Sequence, residues 1–179
     1  MQRILMLLEP DDGPVYRLIA IGRKLKQVPR GRRFWGFVDA VLNDRRDLTA
    51  VLDTTYYKIP GESVLHVPAA VAAGSGRYTL QQHGGHTHLV YTLDAGAAVE
   101  PAGDLVIHVA NPDPAAWGLT EPSDLQGELF LEAEIHAPVP MSLPDHLQQR
   151  FGGRPSTPLD TVDWIDQPGA ELLFTNGAE

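Results

Sequence analysis

The sequence predicts a mostly β protein: a β-barrel or β-sandwich of about 8–10 short antiparallel strands in a single domain over residues 1–179, with one short helix near 143–151. Three observations carry this expectation. Short runs rich in Val, Ile, Leu and aromatic residues recur along the chain, none long enough for a typical helix. Turn-forming residues interrupt them at close intervals, with 17 Gly and 15 Pro in 179 residues. Only one window carries both a helix start and a helix stop.

Taken in order, Ile4–Leu8 is apolar but too short for periodicity to separate strand from helix. Asp11-Asp12-Gly13-Pro14 is a turn, and it precedes the β-rich run 15–21. A break at Pro29-Arg30-Gly31 is followed by a strand over 34–42. The polar stretch 43–47 reads as a hairpin loop joining that strand to another over 48–57. After Pro60-Gly61-Glu62 an extended pattern resumes at Val64–Val67, and further strands are expected at 105–109, 128–136 and 171–175. The helix is signalled by Ser142 as cap, Pro144 in the first turn, Leu147 and Phe151 on one face, and Gly152-Gly153 as its stop. The tail, 176–179, is expected to fray.

Composition narrows the function classes. The chain has no cysteine, which excludes disulfides and thiolate metal sites. Its net charge of −9 argues against general nucleic-acid binding, which needs a basic face. The charge is uneven, however: residues 1–50 hold ten Lys and Arg against six Asp and Glu, while 51–179 hold four against seventeen. The apolar start is too short for a signal-peptide core or a membrane span, so a cytoplasmic protein without membrane contact is expected. There is no P-loop, dinucleotide-binding glycine fingerprint, HExxH or serine-nucleophile signature.

The stretch Gln81-Gln82-His83-Gly84-Gly85-His86-Thr87-His88 is the one that carries chemistry. A Gly-Gly pair suits a two-residue turn of the primed type, which needs positive φ. With that turn, His83 faces His86, Gln81 faces His88, Thr79 faces Val90 and Arg77 faces Thr92. One face then carries Arg77, Thr79, Gln81 and all three histidines, and the other carries Tyr78, Leu80, Leu89, Tyr91 and Leu93 along with Gln82 and Thr87. The register separates polar from apolar almost completely, which supports it independently of the turn.

Imidazoles at such positions stand close enough to share an ion. Three neutral imidazoles suit Zn, Fe or Ni and not Mg or Ca. The expected metal ligands are His83, His86 and His88, with His108 as a fourth candidate alongside His66, Asp94 and Glu100. An ion with an open position would polarise a small polar substrate or activate water, making the chain a metal-dependent enzyme. Arg77 and Gln81, on the same face, are the expected anion or ligand contacts. The same residues also fit a metal-free acid/base pocket or a solvated sheet face.

His86-Thr87-His88 resembles the H-x-H of the first cupin motif, and the segment 101–111, with Pro101, Gly103, His108 and Asn111, is similar to the second. The resemblance spans about 35 residues, a fifth of the chain, and Thr92 and Leu93 stand where cupins carry a glutamate. It implies a barrel interior lined by His86, His88 and His108 as metal ligands.

An alternative reading rests on the segment 23–33. It holds Arg23, Lys24, Lys26, Arg30, Arg32 and Arg33, with Phe34-Trp35 immediately after. Arg30, Arg32 and Arg33 would contact an acidic partner or nucleic acid, making the chain a non-catalytic binding or regulatory module. The competing explanation is a strand edge protected from aggregation by its charges.

Overall fold

The computed structural model describes residues 4–21, 33–58, 64–97, 102–112 and 143–177, with backbone alone at 33, 55–58 and 64–65. The expected strand over 128–136 and the basic residues from Arg23 to Arg32 lie outside the described residues. Strands β1 (Ile4–Leu8), β2 (Tyr16–Ile21) and β3 (Arg33–Leu42) come first, then a helix α1 (Arg45–Leu52). Strands β4 (Thr55–Lys58), β5 (Val64–Val67), β6 (Gly76–His83), β7 (His86–Leu93) and β8 (Ala102–Ala110) follow. A short helix α2 (Asp145–Gln148) continues as a 3₁₀ turn to Phe151, ahead of β9 (Ser156–Pro158), another 3₁₀ turn and β10 (Glu171–Asn176).

The main sheet runs β1-β2-β3-β10-β8-β7-β6, antiparallel throughout, and β9 pairs with β8 beyond the end of β7. It curls into a half-barrel, so the mostly β architecture is the one expected. A bulge between β2 and β3 helps the curl: Leu18 pairs with Ala40 but Ile19 with Val38, leaving Asp39 as the extra residue. β4 and β5 form a separate two-stranded sheet. Among the described residues no helix is long and apolar enough to cross a membrane.

The concave side is filled by residues from outside the sheet. Leu147, Phe151, Leu159, Trp164 and Ile165, all fully buried, pack on Ile19, Val38, Leu89, Ile107, Leu172 and Phe174. Phe151 and Trp164 meet with ring centroids 5.2 Å apart, and Phe34 stacks on Phe174 at 4.8 Å. Ring contacts of this kind add about 0.5–1.5 kcal/mol to the burial itself.

Three local expectations are corrected. The strand expected over 48–57 starts at Thr55, because 45–52 is helical. Asp44 has extended backbone and accepts from Arg46 N at 2.7 Å, which caps a helix and precludes the hairpin loop. Helix α2 begins at Asp145 with Pro144 in the capping position and no side-chain cap. Its stop is as expected: Gly152 adopts φ 55°, the left-handed conformation that glycine tolerates. The tail is not frayed at its start, since Asn176 pairs with Leu105 and Gly177 N donates to Asp104 O at 2.9 Å.

Candidate functional site on the outer sheet face

The β6–β7 hairpin has the register the sequence implies. His83 pairs with His86, Gln81 with His88, and Arg77 with Thr92. Gly84 and Gly85 take φ 58° and 85°, the two positive values of a primed turn. Thr87 and Leu89, at 2% and 1% exposure, point into the half-barrel. His86 and His88, alternating with them, point out. The cupin resemblance implied ligands lining the interior. This is corrected: the pleat sends the histidines to the convex side and the core-forming residues inward.

The inner face explains its own two polar members. Residues 156–160 cross beneath the hairpin tip, where Leu159 N donates to Ile107 O at 3.1 Å. The Thr87 hydroxyl donates to the Leu159 carbonyl and the Gln82 amide to the Asp160 carbonyl. The Asp160 carboxylate in turn accepts from Arg150 and from Trp164 Nε1, the latter at 2.9 Å. The tip is thus clamped to the core. A small open depression of about 180 Å³ remains there, lined by Gln82, His83, Gly84, Gly85, His86 and Asp160.

On the outer face, β8 brings a fourth imidazole. Thr87 pairs with Ile107 and His88 with Val106; just past the last pair the His86 ring comes near that of His108, whose backbone pairs with Pro158 of β9. The two ring centroids are 5.7 Å apart at an interplanar angle of 56°. His83 lies edge-on to His88 at 6.4 Å. His86 therefore neighbours all three other imidazoles: His83 across β6, His108 across β8 and His88 two residues along β7.

His88 is the most constrained of the group. Its Nδ1 lies 2.9 Å from Asp104 Oδ1, with side chains 20% and 38% exposed. A carboxylate only accepts, so Nδ1 carries the hydrogen. Asp104 faces Val90, on the side of His88 away from the hairpin tip. The bond to Asp104 thus leaves Nε2 as the nitrogen with the lone pair.

As the rings stand, no group of three or more His, Asp or Glu side chains among the described residues is placed to hold a metal ion. The rings pair off instead. The remaining candidates are dispersed. Arg77 is exposed and six residues before His83, about 20 Å along an extended strand. Gln81 is exposed beside His88. His66 and Asp94 belong to other elements, β5 and the β7–β8 connection. Glu100, Arg30 and Arg32 lie outside the described residues, and of Arg33 only the backbone is described, paired with Thr175.

Sequence reasoning missed Asp104. The only signal was its place near His108 in the segment 101–111; its partnership with His88 depends on the β7–β8 register, which no local pattern encodes. Comparison with protein-family models, curated proteins and solved structures finds no match.

Proposed function

We propose that the chain binds a transition-metal ion on the outer face of the half-barrel, through His86 and His108, with His88 as the third nitrogen. The observation that carries the reading is the 5.7 Å separation of the His86 and His108 rings on adjacent strands. An imidazole nitrogen sits about 2.1 Å from a bound ion, so two rings on a tetrahedral ion have centroids about 5.2 Å apart. A small turn of the exposed His86 ring closes that difference.

A chain without cysteine and with clustered imidazoles favours Zn, Ni or Fe over the oxygen-seeking Mg and Ca. The Asp104–His88 bond supports the same reading, since ligand histidines commonly donate their other ring nitrogen to a carboxylate. Three protein nitrogens leave a position for water or for an oxygen of a small polar molecule, which the ion would polarise.

Titration calorimetry with Zn²⁺ and Ni²⁺ tests this. The intact protein binds one ion, and His86→Ala and His108→Ala each weaken binding at least about tenfold, or about 1.4 kcal/mol. His66→Ala, a histidine of another sheet, leaves it unchanged. Absence of uptake at about 1 mM ion, or equal loss in all three variants, ends the reading.

A further inference from the structure

Gly177 closes the site from behind. It follows β10, where Asn176 pairs with Leu105, and donates its backbone N–H to the Asp104 carbonyl at 2.9 Å. A Cβ at Gly177 would fall within 2.7 Å of Oδ1, Cγ and Oδ2 of Asp104. The Asp104 carboxylate therefore occupies the volume that any other residue at 177 would need. From there it meets His88 Nδ1 at 2.9 Å.

The structure assigns Gly177 a positioning role: its missing side chain is the space in which Asp104 stands against His88, and this fixes His88 in the tautomer whose Nε2 carries the lone pair. Without that space the carboxylate swings away, and the His88 ring loses both its orientation and the bond that selects the tautomer. The use made of Nε2 rests on the metal reading above, whereas the placement of the three residues does not.

The two claims fail separately under one set of measurements. Imidazole ¹⁵N spectra of the ion-free protein and Zn²⁺ titrations are recorded for the parent, Gly177→Ala, Asp104→Ala and the double variant. In the parent, His88 shows Nδ1 protonated and Nε2 bare. Gly177→Ala turns that signal into a mixture of tautomers and weakens Zn²⁺ binding about tenfold or more, the usual effect of disturbing a ligand's carboxylate partner. In the Asp104→Ala background, the glycine substitution changes neither quantity, because nothing is left to displace.

If Gly177→Ala alone does not fold, recovery of folding in the double variant reports the same steric relation. A parent-like His88 spectrum in Gly177→Ala overturns the role. So does an equal change in both backgrounds. A parent that binds no Zn²⁺ but shows the fixed tautomer keeps the positioning role and removes the metal reading.

Discussion

Thr87 shows how one side chain ties the site to the core. It sits between His86 and His88, yet points the opposite way, and its hydroxyl donates to the Leu159 carbonyl at 2% exposure. Thr87→Val keeps the shape and removes the donor, leaving that carbonyl without this partner. The expected cost is about 1–3 kcal/mol in urea unfolding. An unchanged midpoint would mean that water replaces the hydroxyl and that the tip is not clamped as described. At this scale the sequence was informative: the glycine pair sets the turn, the turn sets the alternation, and the alternation puts His83, His86 and His88 on one side. Asp104 and Gly177 were not legible, because each meets its partner only across a strand pairing.

Among the elements, α1 is where local reading went wrong. Leu48-Thr49-Ala50-Val51-Leu52 mixes helix formers (Leu48, Ala50, Leu52) with the β-branched Thr49 and Val51, and only Leu48 is buried in the helix they form. The cap favours the helix: Asp44 accepts from Arg46 N at 2.7 Å, while the Thr49 hydroxyl is satisfied by donating to Arg45 O at 3.0 Å. With so little burial, the cap carries a large share of the helix's stability. Asp44→Ala is expected to cost about 1 kcal/mol locally. Hydrogen exchange should show faster exchange at 48–52 while β6 and β7 keep their protection. Slowed or unaltered exchange at 48–52 would show that packing, not the cap, holds the helix.

Across the whole molecule, the curl of the sheet brings its far ends into electrostatic range. Tyr78 on β6 has its pKa raised above the usual phenol value of 10.0. Desolvation by burial is the main cause; Arg17 on β2 opposes it, and Asp11, Asp12 and Glu9 reinforce it. A phenol with a raised folded-state pKa ionises first in the unfolded chain. Its contribution to stability is therefore complete below pH 10 and is lost as pH climbs from 10 towards the folded-state value. Denaturation midpoints should fall over that window. Tyr78→Phe should flatten the fall without changing its onset from other groups. An identical alkaline profile in the variant would show that the phenol is equally solvated in both states.

Arg17 adds a second tie of this kind: 9% exposed, it pairs with Asp166, near the end of the chain that fills the concavity, at 2.6 Å. The fold class, most strand positions and the hairpin register follow from period-two alternation and turn chemistry, which act over a few residues. Alternation marks the apolar face of the hairpin as the buried one; what covers it was decided only when 143–165 packed into the concavity, joining Leu89 to one cluster with Leu147, Phe151, Leu159 and Trp164 and bonding Thr87 to Leu159. The juxtaposition of His108 with His86, of Asp104 with His88 and of Gly177 with Asp104 was likewise settled by tertiary pairing. Hydrogen bonding between strands distant in the chain selects those neighbours, and a sequence lists residues without saying which strands will lie side by side.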